Sequence, residues 1–497
     1  MQSTLVTSFF PPATVFLPLL GTGAAIGLGR VSERAREIGL AVICAIVVVL
    51  TFAVIPGVLG GTVYEAHLVR LTPTIWIYLR IDAMGALYAA TVSLLWLLAV
   101  VYSAGYMRGG HRLTRYYSFL MMCLGWTLGV AYAGNLLTFL LFYELFSILT
   151  YPLVVHEETP QAMAAGTKYI IYILIGGSLV LLGVVLTYFI SGEQTLTAGG
   201  ILNAAMDHTA LLAIFWCFIA GFGVKAALVP LHGWVPDAHP AAPAPFSAVL
   251  SGVMVAAGSF GIMRVVYQVF GVELLQEMGV MPYVAGIAAF TIIFAAVLAV
   301  GQDDLKRRLA YSTISQMGYV ALGIGLLGSE ATIGALVHIA NHAFMKGTLF
   351  LCAGLLIKRT GLRNVSEMAG VAKRMPVTMA AFALAALGMI GTPPLSGFIS
   401  KWYLGLGILE VHSPLYLAVL LGGALLAAIY LLPIVYVAYF KQPPALAGET
   451  ELEAEAPASM LVPTIIAASL TIVLGLAATA PGLPYSLAYL SAQTFFP

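Results

Sequence analysis

The stretch Ile38-Gly-Leu-Ala-Val-Ile-Cys-Ala-Ile-Val-Val-Val-Leu50 decides the fold class, because it runs without a single charged side chain. A second stretch, Met379–Ile390, reads the same way. Neither alternates polar and apolar positions, as a barrel strand between lipid and lumen would. Around these runs, 61% of the 497 residues are hydrophobic and 9% are charged, against roughly 25% charged in soluble domains. A water-soluble globule is excluded, and so is a disordered chain. The net charge of +1, with no long basic run, excludes a nucleic-acid binder.

A helical crossing of a bilayer needs roughly 20 apolar residues. Apolar runs between polar punctuation give fourteen spans, near residues 9–29, 36–59, 82–107, 115–133, 135–154, 165–190, 209–230, 244–268, 280–300, 308–328, 331–356, 376–410, 414–440 and 459–480. This predicts an all-α membrane protein with fourteen transmembrane helices. Two spans are irregular. The seventh ends in Pro230-Leu-His-Gly-Trp-Val-Pro236, and the twelfth is interrupted by Gly391-Thr-Pro-Pro-Leu-Ser-Gly397. Broken helices inside a bilayer survive where protein or a water-filled cavity satisfies the freed backbone groups, and in transporters they point to the ion site.

The basic residues test the count. Loops after odd-numbered spans hold Arg30, Arg34, Arg36; Arg108, Arg112, Arg115; Lys168; Lys306, Arg307, Arg308; Lys358, Arg359, Arg363, Lys373, Arg374; and Lys441, sixteen of the 22 in the chain. Loops after even-numbered spans hold only Arg70 and Arg80. The positive-inside rule then places both termini outside a cell membrane. The acidic residues Glu449, Glu451, Glu453 and Glu455 fall in the last cytoplasmic loop and are expected to be solvated. Cys44, Cys123, Cys217 and Cys352 lie singly in apolar runs, as small buried hydrophobes rather than disulfide, zinc or iron–sulfur ligands. No basic region precedes the first apolar run, so a first helix is expected there, not a cleaved signal. No nucleotide motif, redox ligand or hydrolytic site is visible, so no cofactor is expected.

Four basic residues remain, Lys225, Arg264, Lys346 and Lys401, and each falls within a span together with Glu144, His338 and His342. A charge at the bilayer centre costs at least about 2.5–3.5 kcal/mol, which makes such residues functional candidates. Burial and a neighbouring carboxylate pull a lysine's proton affinity in opposite directions. A Glu144–Lys225 pair whose separation changes would therefore switch protonation. His338, His342 and Lys346 follow i, i+4, i+8 spacing and form a polar stripe. A His-x-x-x-His pair suits a metal, but the lysine one turn on repels a cation, so a proton relay is the reading taken. Lys401 follows the break in the twelfth span as a second intramembrane lysine. Arg264 falls near the outer end of the eighth span, within snorkelling reach of the interface.

These residues sit in motifs that resemble a known family. Tyr143-Glu-Leu-Phe-Ser-Ile-Leu-Thr-Tyr-Pro-Leu153, Lys225 with Val-Pro-Leu-His-Gly-Trp-Val-Pro-Asp-Ala-His-Pro240, and Leu309-Ala-Tyr-Ser-Thr-Ile-Ser-Gln-Met-Gly-Tyr319 are similar to segments of the antiporter-like subunits of respiratory complex I and of Mrp-type multisubunit cation/proton antiporters. So are His338…Asn-His-Ala-Phe-Met-Lys346 and Gly391-Thr-Pro-Pro-Leu-Ser-Gly-Phe-Ile-Ser-Lys401. The resemblance covers roughly residues 80–440. It implies inverted five-helix repeats, helices 4–8 and 9–13, with helices 7 and 12 broken. The chain then divides into 1–110 (helices 1–3), 111–270 (first repeat), 271–441 (second repeat) and 442–497 (acidic loop and helix 14).

By the same resemblance, Glu144 and Lys225 form the pair at the start of a proton path, His338, His342 and Lys346 its central axis, and Lys401 its far half-channel. The implied partners are other membrane subunits, protons and, as a further candidate, sodium, in a bacterial or archaeal cell membrane. One position departs from the pattern: where relatives carry a lysine or histidine on helix 8, this chain has Ala256. Phe-Ile-Ser-Lys-Trp-Tyr-Leu most resembles the D-type component of Mrp antiporters and its relatives in membrane-bound hydrogenase-type complexes. The alternatives are a membrane subunit of a hydrogenase- or formate-linked complex, one of an inorganic-carbon uptake complex, and a non-conducting scaffold.

Overall fold

The computed structural model describes residues 4–73, 75–442 and 455–496. Helices lie at every predicted apolar stretch. In chain order they are α1 (Phe10–Val31), α2 (Glu33–Ala53), α3 (Ile55–Leu59), α4 (Ala83–Tyr106), α5 (Leu113–Ala131), α6 (Leu136–Leu149), α7 (Tyr151–Val154) and α8 (Pro160–Ser191). There follow α9 (His208–Lys225), α10 (Val235–Ala241), α11 (Ala244–Val249), α12 (Ala256–Val265), α13 (Val272–Met278), α14 (Met281–Val300) and α15 (Leu305–Gly325). The last are α16 (Ser329–Thr360), α17 (Pro376–Ile390), α18 (Ser396–Glu410), α19 (Pro414–Phe440), α20 (Ala458–Leu476) and α21 (Pro484–Phe495). Among the described residues, eleven helices are long and apolar enough to cross a membrane.

Local chemistry sets the helix starts. Asp82, Asn135, Thr159, Asp207 and Asp304 each accept a backbone N–H three residues on, capping α4, α6, α8, α9 and α15. One segment departs from the all-α expectation. A three-stranded sheet, β1 (Thr4–Thr7), β2 (Thr62–Arg70) and β3 (Trp76–Ile81), lies at the end of the bundle opposite the basic loops. Its β-branched and aromatic residues, such as Thr62-Val-Tyr and Trp76-Ile-Tyr, suit a pleated strand. β1 runs parallel to β2, and β2 antiparallel to β3.

The core is built on α16 and the Ala244–Phe270 segment, both buried throughout their apolar lengths. That segment is α-helical at each stage except for two π turns, Leu250–Met254 and Val266–Phe270. α1, α2, α8, α19 and α20 form a peripheral layer with apolar outer faces. Small residues let the core helices approach: Gly252 packs on the backbone of Ala343, and Gly334 on that of Leu404. At the opposite end, the loops after odd-numbered spans meet one another. Leu305 donates to the Arg363 carbonyl at 2.9 Å, and Arg115 pairs with Glu158.

Glu449, Glu451 and Glu453 lie outside the described residues, whereas Glu455 departs from the solvated expectation. It accepts the Val377 and Thr378 N–H groups at 2.6 and 3.0 Å and the Thr378 hydroxyl at 2.8 Å. A carboxylate suits the N-terminus of α17, where backbone donors are unpaired.

Candidate functional site

Both predicted breaks are present, and each carries a buried lysine. α9 ends at Lys225, and the chain runs without helix through a cis Val229–Pro230 bond to α10. α17 ends at Ile390, and Gly391 beyond it, with φ of 98°, turns the chain into a cis Pro393–Pro394 bond before α18. Proline removes a donor and excludes the preceding helical turn, so the sequence ends each helix where the backbone groups are needed.

Lys225 is fully buried and donates to the Tyr169 hydroxyl at 3.1 Å; that hydroxyl donates to the Ser147 carbonyl at 2.7 Å. Its ammonium lies over three rings, 4.3 Å from the centre of Phe146, 5.4 Å from Tyr169 and 5.9 Å from Trp234. Such rings attract a cation through their quadrupoles. Glu144 is within electrostatic reach of Lys225, yet the two share no hydrogen bond, and its Oε1 has no partner among the described residues. The carboxylate packs instead on Gly177 of α8, where any Cβ would collide with it. The pair is thus two groups without a mutual hydrogen bond, the lysine being held by a tyrosine hydroxyl and an aromatic cage.

The predicted stripe is continuous on α16. The rings of His338 and His342 stand 6.1 Å apart, and His338 Nδ1 lies 2.8 Å from the Ser400 hydroxyl on α18. Lys346 donates to the Leu309 carbonyl at 2.9 Å and to the Ser312 hydroxyl at 2.6 Å; that hydroxyl meets Tyr430 at 2.9 Å. Among the described residues, His338 Nε2 has no hydrogen-bond partner, and the His342 ring faces the Gly252 backbone without a well-formed hydrogen bond. Lys401 donates to the carbonyls of Met389 and Ile390 at 2.7 and 2.9 Å, the last turn of α17, and lies 5.0 Å over the Tyr319 ring. A lysine at a helix C-terminus satisfies carbonyls that have no intrahelical donor.

Ala256 is wholly buried at the first turn of α12, and nearby Ser251 is bonded to Thr313 at 2.6 Å. Arg264 departs from the snorkelling expectation. It is buried and paired with Asp82 through both guanidinium ends, and it bonds Gln268 at 2.8 Å and the Ala131 carbonyl at 3.0 Å. Desolvating a guanidinium is tolerable only with such partners.

Two further groups join these elements. His239 of α10 is fully buried with neither ring nitrogen partnered, 5.2 Å from the Phe350 ring and 6.5 Å from Trp234, the residue that also covers Lys225. Lys306, expected in a loop, is buried and donates to the Pro240 and Ala242 carbonyls at 3.3 and 2.6 Å. It lines a cavity of about 870 Å³ at the basic end, whose wall includes His111, Lys168 and Asp237. Asp237 is held by Lys168 at 2.7 Å and Arg307 at 3.6 Å. The motif containing Asp237 and His239 is visible in the sequence; the direction in which the break turns His239 is not. Among the described residues, no cluster of three His, Cys, Asp or Glu could hold a metal ion.

At the cavity rim the ring of His111 stacks on that of His156 at 4.9 Å, and Arg115 donates to the His156 carbonyl at 2.9 Å. Burial, with Arg115 and His111 adding to it, pushes the His156 imidazole down to about 4. The hydrogen bond from Arg115 holds the Glu158 carboxyl below its usual range.

Comparison with known proteins shows which sequences and folds the chain is similar to. Residues 133–427 match the family described as NADH:quinone oxidoreductase/Mrp antiporter, TM. The chain is 35% identical over 487 residues to NADH-quinone oxidoreductase subunit N of Desulforudis audaxviator, covering 95% of this chain and 96% of that protein. It is 30% identical over 434 residues to hydrogenase-4 component B of Escherichia coli, covering 81% of this chain and 62% of the longer relative. In fold it resembles a chain of the Mrp complex from Dietzia sp. DQ12-45-1b, with TM-score 0.87, 22% identity and 98% of both chains covered. A chain of an archaeal membrane-bound sulfane sulfur reductase gives TM-score 0.87 at 23% identity, again over 98% of both.

Proposed function

The chain belongs to the NADH:quinone oxidoreductase/Mrp antiporter transmembrane family, and from that premise we propose that it conducts protons as one subunit of a larger membrane complex. The complex is of the cation/proton antiporter type or a relative of complex I, in a bacterial or archaeal cell membrane. One observation carries the reading. Three of the four buried lysines, Lys225, Lys346 and Lys401, are strung along the core with no ion pair among the described residues, and His338 and His342 stand between Lys346 and Lys401. Neutral histidine both gives and takes a proton, as a relay requires.

In this reading α5, α15 and the α17–α18 pair join the eleven apolar helices to make fourteen crossings. The basic loops face the cytoplasm, the sheet faces outside with both termini, and the segments containing Lys225 and Lys401 are inverted repeats. Protons enter by the cavity beside Lys306, reach Lys346 past His239, and leave by His342, His338, Ser400 and Lys401. Glu144 and Lys225 set the charge state of the first half. His239 offers a way past Ala256, which holds no proton. The sodium assignment rests on the family alone.

A second reading, a non-conducting scaffold, is favoured by Ala256 itself. Reconstitution separates the two. The assembled complex in liposomes is expected to move protons down an imposed pH gradient, and the lone chain is expected not to exchange sodium for protons. Unaltered proton movement in a complex carrying His338→Gln and His342→Gln would assign conduction to other subunits.

A further inference from the structure

A second groove, sharing no lining residue with the large cavity, opens at the basic end between α2, α4 and the start of α20. Its volume is about 460 Å³. Glu33, Arg34 and Glu37 of α2 and Arg108 just beyond α4 stand around its mouth, and Ile38 and Val101 line its apolar part.

The four charges are unlike their neighbours. Arg36 is spent on the Tyr117 ring and Thr114, and Arg112 and Arg115 on Glu158. Glu33, Arg34, Glu37 and Arg108 make no side-chain hydrogen bond or ion pair with another described residue. Glu33 and Glu37 stand one turn apart on one helix face, where like charges repel. A cation placed between them relieves that repulsion, and an anion suits the two guanidiniums, which bind phosphate oxygens well. Two positive and two negative groups above an apolar wall match a neutral amphiphile whose head carries both signs.

We propose that this groove binds a phospholipid with a primary ammonium headgroup, of the phosphatidylethanolamine type. The phosphodiester lies between Arg34 and Arg108, the ammonium donates to Glu33 and Glu37, and an acyl chain runs along Ile38 and Val101. A trimethylated ammonium has no N–H to donate, so a choline lipid loses those bonds. A glycerol headgroup has no cation and adds nothing to the partial relief that Arg108 and Arg36 give Glu37. Basic pockets between helices at the cytoplasmic side of membrane proteins bind anionic heads; the carboxylates here shift the preference to a zwitterion.

The test is native mass spectrometry of the full chain in detergent, titrated with ethanolamine, choline and glycerol phospholipids of identical acyl chains. The expected result is first-site occupancy about tenfold in favour of the ethanolamine lipid, the scale of one or two charge-assisted hydrogen bonds. Glu33→Gln with Glu37→Gln is expected to erase that preference while retaining the glycerol lipid, and Arg34→Gln with Arg108→Gln to weaken all three. An ethanolamine lipid with a photoreactive acyl chain is expected to label α2 and α4, a readout that needs no variant. Equal occupancy by ethanolamine and choline lipids would overturn the proposal. So would a preference that survives the glutamate changes, labelling elsewhere, or a partner protein found covering the groove in the intact complex.

Discussion

The two broken helices place a lysine against freed backbone in opposite ways. At the first break Lys225 is the last residue of α9, turned from its own helix end into rings and the Tyr169 hydroxyl. At the second break Lys401 belongs to the helix after the gap and reaches back to the open carbonyls of the helix before it. Side chains therefore set the first site, and backbone sets the second. One substitution can change the surroundings of Lys225 and leave its helix intact. The hydrogen-bond acceptors of Lys401 are main-chain atoms, which leaves its contact with the Tyr319 ring as the handle there.

Removing either lysine tests what the sites share. In the reconstituted complex, Lys225→Ala and Lys401→Ala are each expected to lower proton flux by about a hundredfold or more, the scale of losing a positioned proton-transfer group. Subunit content on a native gel checks that assembly survives. Normal flux in both variants would remove Lys401 from the path and Lys225 from control of its first half.

The difference between the breaks is sharpened by backbone geometry. Gly391 has φ of 98° with Lys401 Cδ 2.9 Å from where a Cβ would stand, whereas the first break sets Ala227 at φ of 57°. A left-handed residue with a Cβ costs about 1–2 kcal/mol. Gly391→Ala is expected to lower the thermal midpoint of the purified chain, and Ala227→Gly to leave it unchanged or raise it. Matching shifts of the same sign would show that the two turns are equivalent.

Tyr169→Phe removes the hydroxyl and keeps the ring. One neutral hydrogen bond is worth about 0.5–1.5 kcal/mol, so a several-fold fall in flux is expected, well short of the loss in Lys225→Ala. Equal losses would make Tyr169 itself a proton carrier.

The smallest effect is expected at the cavity rim. His156 is held down to about 4, so the folded state favours its neutral form. The stabilisation is present above the ordinary histidine value near 6.5 and is lost as pH falls from there toward 4. Glu158 is held below its usual range by Arg115, so its contribution is lost only as pH falls below the ordinary glutamate value, under the His156 window. Hydrogen exchange in residues 155–159 should therefore be faster at pH 5 than at pH 7, relative to the rest of the chain. A flat pH response would mean that this latch is held by packing alone.

Much of this is legible in the sequence, because apolar length and proline placement act locally. Pro230, Pro393 and Pro394 mark both breaks, and i, i+4, i+8 spacing puts His338, His342 and Lys346 on one face. What is not legible depends on distant partners. Arg264 reads as an interfacial residue until Asp82, far away in sequence, is folded against it. Glu144 and Lys225 read as a direct pair until Tyr169 and three rings are placed around the lysine. Lys306 reads as a loop cation until its fold brings it to the Ala242 carbonyl. The sheet escapes a reading by apolar length because β2 and β3 are short segments beside long apolar helices.

Lys346 offers the most direct test of conduction through the core, since it lies on α16 with His338 and His342. Proton flux through the assembled complex carrying Lys346→Gln, measured in liposomes under an imposed pH gradient, is expected to fall to background. Flux at the wild-type rate, with the variant subunit present in full amount, would contradict a path along α16.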